Sequence, residues 1–144
     1  MTVEELVSVL VPPETGELKP DTTPDLIALT RRGMPASILT QLAVMLSVDR
    51  KEVAKLLHIS ERTLSRRMRE NATLTAQESD RAVRLARILA FANDMIGNPE
   101  KATRWLQTPN RALEGSRPIE LLDTDAGVEA VRNVLGRIAY GVYS

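Results

Sequence analysis

The stretch from position 50 to position 69, RKEVAKLLHISERTLSRRMR, constrains the fold of this chain more than any other. Its apolar residues fall into two groups at helical spacing, so each half of the stretch has one face to bury. The first group is Val53, Ala54 and Leu57, and the second is Leu64 and Met68. The pattern predicts two short helices joined by a tight turn, which is the arrangement of a helix-turn-helix.

The ends of these two helices carry signals of their own. Ser60 is predicted to cap the second helix, with its hydroxyl accepting from the backbone N–H of Thr63. Asp49 and Glu52 have the spacing of a capping box at the start of the first helix. Ala54 is predicted where the helices approach most closely, since a larger side chain there would push them apart. The start of each helix is therefore specified independently of the apolar pattern.

The second helix is predicted to present a polar and mainly basic face. Arginine can form paired hydrogen bonds with O6 and N7 of guanine, and serine can bond a base edge or a phosphate. The alternative is a solvated helix surface that contacts no ligand. Because the turn, the caps and the basic face coincide, we interpret this region as a DNA-binding surface. Its candidate contact residues are Lys55, Ser60, Glu61, Arg62, Ser65, Arg66 and Arg69.

The formal net charge of the chain is zero, but the charges are unevenly distributed. Residues 50–90 carry ten basic and five acidic side chains, whereas residues 1–49 carry three basic and seven acidic ones. Nucleic acid would therefore bind through residues 50–90, with a salt-dependent affinity that is modest for one copy. We expect a homodimer, because two copies would supply the binding energy that one basic segment lacks.

The composition limits the other classes of protein. With 144 residues, the chain is long enough for one domain or two small ones, and it can bury a core without covalent cross-links. Cysteine is absent, which excludes disulfides, thiolate metal sites and cysteine nucleophiles. Glu4 and Glu5 stand where a secretory signal would be basic, and no segment has the apolar length of a membrane span. We expect a cytoplasmic protein that makes no membrane contact.

Catalysis has few candidate residues. General acid-base chemistry, metal ligation and nucleophilic attack draw mostly on histidine and cysteine, and the chain has one histidine and no cysteine. His58 lies in the predicted turn, where we interpret it as tolerating a left-handed backbone rather than binding metal. We therefore predict no catalytic residue, no cofactor, no metal and no enzymatic activity.

The rest of the chain predicts further helices and no strand. Prolines and a glycine in residues 11–24 indicate a linker. Outside the central pair, apolar residues at helical spacing predict helices over residues 2–10, 25–32, 35–47, 76–96 and 100–107, a short one around 119–122, and a last one from 125. The fold class is all-α, a multi-helix bundle of roughly eight helices. In the helix before the central pair, the predicted core stripe is Ile38, Leu39, Leu42, Met45 and Leu46.

The longest predicted helix begins at a second capping box, formed by Thr75 and Glu78. Arg81, Arg84 and Arg87 follow on its outer side. We interpret them as a solvated surface, with a contact to phosphate or to a partner protein as the alternative. The residues predicted to face inward are Leu85, Ile88, Leu89, Ala92 and Ile96.

The last third of the chain carries a specific string of residues. They are Trp105, Leu106, Pro109, Asn110, Ala112, Leu113, Gly115, Arg117, Pro118, Leu122, Thr124, Gly127, Tyr140 and Gly141. This string resembles the toxin-binding domain of Xre/MbcA/ParS-type antitoxins. Together with the Xre-like helix-turn-helix, the resemblance covers about residues 35–144. One departure is Glu114, which stands where the family usually has a second glycine.

The resemblance implies an antitoxin of a type II toxin–antitoxin system. Such a protein would bind operator DNA in its own promoter, and its C-terminal domain would cover the active site of a RES-domain toxin that consumes NAD. A higher-order complex with the toxin is expected. The implied division is an N-terminal helical and linker segment (1–34), a helix-turn-helix region (35–73) and a C-terminal toxin-binding domain (74–144). A stand-alone phage-like repressor with a C-terminal dimerisation domain is the alternative, and a small enzyme is a second one.

Candidate toxin contacts lie at the end of the chain. Both tyrosines fall in the last five positions, where apolar bulk, hydroxyls and a carboxylate would suit a concave site. The alternative is that Tyr140 packs on the last helix and Tyr143 is frayed. The candidates are Arg132, Arg137, Tyr140, Gly141, Val142, Tyr143 and Ser144. Residues 1–34 have no assigned role, and their apolar faces are candidates for a dimer surface.

Overall fold

The computed structural model describes residues 2–10 and 20–139. The described residues form eight α-helices and two short 3-10 helices, which confirms the all-α fold class. The α-helices are α1 (Val3–Leu10), α2 (Thr23–Arg32), α3 (Ile38–Leu46), α4 (Arg50–Leu56), α5 (Glu61–Glu70), α6 (Ala76–Ile96), α7 (Pro99–Gln107) and α8 (Asp125–Ala139). The 3-10 helices are Arg111–Leu113 and Pro118–Leu121. Across these residues, no helix combines the length and apolar character needed to span a bilayer.

The helices begin where side chains can satisfy their free N–H groups. Five side chains act as caps, and each accepts a hydrogen bond of 2.9–3.1 Å from the N–H three residues further along. They are the predicted Asp49, Ser60 and Thr75, together with Asn98 at α7 and Thr124 at α8. Helix α2 begins two residues earlier than predicted, because Thr22 rather than a later residue provides its cap.

The described residues divide into two compact units, one within residues 2–86 and one formed by residues 87–139. In the first unit α1 packs against α3, and Leu6, Val7 and Leu10 are buried. Leu26 and Leu29 of α2 are buried as well. The expectation that the apolar faces of residues 1–34 are left for a dimer is therefore wrong for these side chains, because the chain covers them itself.

Helix α3 lies at the centre of the first unit. Its Ile38, Leu39 and Leu42 have no measurable exposure, whereas Met45 is only half-buried. The prediction that Met45 belongs to the core stripe is wrong, since Ala43 completes the buried face instead, whereas the predicted Leu46 is buried. The other predicted inward residues Met68 and Ile96 are likewise only half-buried, and both lie on or near helix ends.

A short extended segment after α2 pairs with the segment after α5. Pro35 forms an isolated antiparallel bridge with Thr73, and the N–H of Leu74 donates to the Met34 carbonyl at 2.7 Å. Gly33 has φ 102°, and a Cβ added there would lie 2.4 Å from the Leu74 carbonyl oxygen. The glycine is therefore required both by its backbone conformation and by the neighbouring strand-like segment.

The second unit packs α7 and α8 around the two 3-10 helices. Its buried core residues include Leu106, Ile119, Leu122, Val131 and Leu135. Gly127 in the first turn of α8 allows a very close approach, since a Cβ added there would lie 1.7 Å from the carbonyl oxygen of Leu121. The backbone at the end of the second 3-10 helix thus occupies the space of a side chain on α8.

Candidate functional site

The turn between α4 and α5 is fixed by backbone hydrogen bonds. The N–H of Ile59 donates to the Ala54 carbonyl at 2.8 Å, and the N–H of His58 donates to the Lys55 carbonyl at 3.1 Å. This pair of bonds is a Schellman motif, which needs a left-handed residue after the helix. His58 supplies it with φ 61°, so the predicted left-handed backbone is confirmed.

The start of α5 is fixed on the other side of the turn. Ser60 has an extended backbone, and its hydroxyl accepts from the Thr63 N–H at 3.1 Å and donates to the Thr63 hydroxyl at 3.0 Å. Ala54 is fully buried in this helix pair. The two helices and their turn therefore form a helix-turn-helix whose geometry is set mostly by bonds within a few residues.

The outer face of α5 carries every DNA-contact candidate of that helix. Their positions repeat at helical spacing, so they share one face. The exposed residues are Glu61, Arg62, Ser65, Arg66 and Arg69, and the two flanking candidates Lys55 and Ser60 are exposed as well. The structure thus places the α5 candidates on one accessible face with a basic surplus, and it leaves Lys55 and Ser60 exposed near the turn.

One arginine of α5 has a different role. Arg67 is half-buried and forms an ion pair and a hydrogen bond with Glu78, at the start of α6. Glu78 also accepts from the Thr75 N–H at 2.8 Å, which completes the capping box. Arg67 therefore attaches the back of α5 to α6, and its guanidinium is engaged within its own unit. In the sequence, Arg67 does not share the helical spacing of the exposed α5 residues, and this position indicates its different role.

The charge of Glu78 is stabilised by its neighbours. Burial is the largest single influence and by itself raises the pKa of Glu78. The Thr75 N–H, the Arg67 guanidinium and the Thr75 hydroxyl together outweigh it, so the pKa of Glu78 lies below its usual value. The carboxylate is thus ionised at neutral pH, as its pairing with Arg67 requires.

Another arginine supports the turn from behind. Arg81 of α6 donates to the carbonyl oxygen of Leu57 at 3.3 Å, at the C-terminal end of α4. A cation there also interacts favourably with the helix dipole. The interpretation of Arg81 as a solvated residue is therefore wrong, whereas Arg87 is exposed as expected. Spacing on α6 alone could not show that its outer side meets this turn.

A groove of about 400 Å³ runs between the beginning of α4 and the outer part of α5. It is lined by the exposed Arg50 and Lys51 of α4 and by the exposed Ser65 of α5. The remaining lining residues are Asp49, Leu64 and Met68. The two basic residues were missed as candidates, although a positive residue on the first helix of such a pair could have been considered for phosphate contact.

The toxin-contact candidates are only partly described. Arg137 is exposed near the end of α8, and the Arg132 guanidinium lies 4.8 Å from the centroid of the Phe91 ring. Such a cation–π contact orients the arginine on the surface of its own unit. The tail candidates Tyr140, Gly141, Val142, Tyr143 and Ser144 lie outside the described residues.

The loop between the 3-10 helices carries the centre of the C-terminal string. Leu113 and Ile119 are buried, and Arg117 donates to Gln107 at 3.0 Å and to Glu120 at 2.7 Å. Glu114 has φ 56°, a left-handed conformation. The position that departs from the usual glycine thus keeps a backbone that glycine would adopt more easily.

Histidine and carboxylate groups do not converge on a metal site in the part of the chain that the structure describes. Within residues 2–10 and 20–139, no cluster of three or more His, Asp or Glu residues could hold a metal ion. The absence of enzymatic activity stays a prediction.

The fold and its surfaces define a helix-turn-helix protein with a second helical unit. Residues 25–87 match the antitoxin Xre-like helix-turn-helix domain, and residues 91–141 match the antitoxin Xre/MbcA/ParS C-terminal toxin-binding domain. Together the two matches cover most of the chain, and both agree with the predicted family.

Individual relatives carry the same assignment. The chain is 32% identical to Antitoxin Xre of Photorhabdus laumondii over 84% of this chain and 82% of the relative. It is 30% identical to the Prs ADP-ribosylating antitoxin of a Sphingobium species over 83% of this chain and 81% of the relative. The chain therefore belongs to the Xre antitoxin family, and is the antitoxin of a toxin–antitoxin system.

A solved structure resembles the fold. A chain in the crystal structure of the M. tuberculosis MbcT–MbcA toxin–antitoxin complex matches with a TM-score of 0.54 and 25% identity. The match covers 76% of this chain and 96% of the solved one. The relation thus extends from the sequence to the three-dimensional arrangement of helices.

Proposed function

We propose that this antitoxin inhibits a RES-domain toxin that consumes NAD, and that it represses its own operon by binding operator DNA. The match of residues 91–141 to a toxin-binding domain supports the first part, and the family resemblance supports the identity of the toxin. The proposed functional limits remain residues 35–73 for DNA binding and residues 74–144 for toxin binding, with residues 1–34 as an N-terminal helical and linker segment.

The observation that carries the DNA-binding part is the exposed face of α5. Arg62 and Arg66 lie one helical turn apart on that face, so both can reach base edges when the helix enters a major groove. Arg69 lies at the margin of this face, and Arg50 and Lys51 lie on α4. All three would contact phosphates. Base contacts would select the operator, and phosphate contacts would hold the helix in register.

A homodimer is part of the proposal. A single α5 reads only a few base pairs, and a chain with no net charge gains little non-specific affinity. Two copies on half-sites one helical turn of DNA apart, about 34 Å, would approximately double the contacts. The operator is therefore expected to be a pseudo-palindrome.

DNA binding is tested by substituting Arg62 and Arg66 together with alanine. Loss of two good base contacts, at about 1–3 kcal/mol each, should weaken operator binding and flatten the preference among sequences. Gel-shift titrations of operator and scrambled DNA measure both effects. The matched control is Arg104→Ala with Arg111→Ala, which removes the same charge from exposed positions of the other unit. Equal operator affinity for wild type and the first variant would contradict the proposed role of α5.

Toxin inhibition is tested with the product of the neighbouring reading frame. Co-expression should yield a complex, and the toxin without its partner should deplete NAD. Deleting Val142–Ser144 should reduce inhibition without weakening operator binding, since the tail is proposed to enter the toxin site. A neighbour that leaves NAD unchanged would contradict the RES assignment. Full inhibition at wild-type stoichiometry by the shortened chain would move the blocking surface to another part of the C-terminal unit.

The stand-alone repressor is the alternative function. Family membership and the toxin-binding match favour the antitoxin, because a repressor alone needs no toxin-binding domain. Failure of the neighbouring gene product to co-purify, together with intact operator binding, would favour the repressor instead.

A further inference from the structure

Four residues other than glycine have a positive φ within the described ranges. They are Ser47, His58, Asn71 and Glu114. Asn and His adopt this conformation more often than most residues, and a serine hydroxyl can bond the nearby backbone. Glutamate has neither advantage, and a left-handed conformation costs a residue with a Cβ about 1 kcal/mol. Glu114 is therefore the most strained of the four.

The backbone around Glu114 is held in place from both ends of its loop. The Asn110 N–H donates to the Ser116 carbonyl at 3.0 Å, and the Gly115 N–H donates to the Asn110 carbonyl at 2.9 Å. The Asn110 side chain accepts from the Ala112 N–H at 2.9 Å. Leu113, the residue before Glu114, is buried. These backbone bonds, the Asn110 side chain and Leu113 hold the loop, and none of them involves the Glu114 side chain.

The Glu114 side chain does nothing for the fold of its own unit. It is exposed, and across residues 2–10 and 20–139 it has no ion pair and no side-chain hydrogen bond. A glycine would fit the backbone better and cost no contact. Strain that persists without a structural benefit points to a function for the side chain.

We propose that the Glu114 carboxylate is a specificity contact for the toxin, and that it pairs there with an arginine or lysine side chain. The proposal rests on toxin binding by the C-terminal unit, as given under the proposed function. A carboxylate accepts hydrogen bonds only, so a cationic group is its natural partner. DNA is an unsuitable partner, because phosphates repel it.

The loop geometry adds to the value of this contact. A rigid loop presents the carboxylate in one place, so less conformational freedom is lost on binding than for a glutamate on a mobile segment. The same charge would also discriminate against toxins with an acidic or apolar residue at the matching position. The strained backbone is therefore accounted for by placement of one charge.

The test compares the full-length protein with Glu114→Gln, Glu114→Gly and the control Glu100→Gln. Glu100 is exposed in the first turn of α7, and its change to glutamine alters the charge of the same unit equally. Binding is measured by titration into the toxin from the neighbouring reading frame, and stability by thermal unfolding of the free antitoxin.

Glu114→Gln should leave the melting temperature within about 1 °C of wild type and weaken toxin binding about tenfold, with a smaller dependence on salt. Glu114→Gly should raise the melting temperature by about 3 °C and weaken binding to a similar extent. Glu100→Gln should bind toxin as wild type does.

Wild-type affinity for Glu114→Gln would overturn the inference and leave toxin binding intact. A lower melting temperature for Glu114→Gly would overturn the strain argument. If wild type itself does not bind the toxin, the proposed function and this inference fail together. If Glu114→Gln changes only self-association, seen by sedimentation, the partner is a second copy and the inference is wrong.

Discussion

The two units of this antitoxin present their functional residues in different ways. In residues 2–86, most of the candidate DNA contacts lie along one face of a regular helix, α5. In the second unit, the family string starts at the end of α7, and most of its described residues lie in two 3-10 helices, the loop between them and the beginning of α8. On a regular helix, the spacing of residues in the sequence predicts which side chains share an exposed face. On irregular segments, the positions of the side chains depend on hydrogen bonds that this spacing does not predict.

The units also differ in how closely their elements approach. Helices α4 and α5 pack with alanine at position 54, so some side-chain volume is still accommodated there. Gly127 has no such margin, because the Leu121 carbonyl occupies the place of its Cβ. The second unit is therefore expected to be the more sensitive to a single added methyl group.

The largest effect is expected for Gly127→Ala. The added Cβ would overlap the Leu121 carbonyl oxygen, and backbone cannot move aside as a flexible side chain can. We expect a loss of about 3 kcal/mol in the free energy of unfolding of this unit, and weaker toxin inhibition. Urea unfolding of the purified variant measures the loss.

Gly136→Ala is the matched control for that experiment. It adds the same methyl group to the same helix, at a position where no atom lies within 4 Å of the new Cβ. Alanine is the better helix former, so a gain of up to about 1 kcal/mol is expected. Equal stability changes for the two variants would show that the difference between the units does not lie in this close approach.

A smaller effect is expected for Glu78→Gln in the first unit. Glutamine can still complete the capping box, but it removes the charge that pairs with the half-buried Arg67. We expect a loss of about 2 kcal/mol at neutral pH. Urea unfolding at several pH values measures it, with the exposed Glu70→Gln as the control.

The pH dependence of the Glu78 effect has a definite sign. Because the pKa of Glu78 is lowered in the folded state, its stabilisation is fully present above the pKa of the unfolded chain. It is lost as pH falls through the usual carboxyl range, about 4.3, towards the folded pKa. The stability difference between wild type and Glu78→Gln should thus be constant from pH 7 to about 5 and shrink below that. A difference that grows in acid would contradict the charge assignment.

The smallest effect is expected for His58→Gly. Glycine adopts the left-handed conformation of the turn at no steric cost, so the free energy of unfolding should rise by less than about 1 kcal/mol. Operator binding, measured in the same gel-shift titration, should be nearly unchanged. A large loss of DNA affinity would instead assign the imidazole a role in binding, and would place function in the turn as well as on α5.

The sequence by itself determined most of the helices, the caps at Asp49, Ser60 and Thr75, and the exposed face of α5. It predicted the limits of α6 and the left-handed backbone of His58. It also predicted the capping hydrogen bonds that Ser60 and Asp49 accept. These features depend on residues within about one helical turn of each other, where chain geometry leaves few alternatives. The family of the second unit was recognised from its string of residues, because its loops follow no simple period.

Only the tertiary structure decided which polar residues on those helices are free to act. Arg67 pairs with Glu78, and Arg81 donates to the Leu57 carbonyl. Arg50 and Ser65 line the same groove. Each relation joins residues 11 to 24 positions apart or on different helices, and spacing within one helix says nothing about what packs against it. The strain at Glu114 was also decided by the tertiary structure. Hydrogen bonds across the whole loop impose a positive φ on this residue, which glutamate rarely adopts.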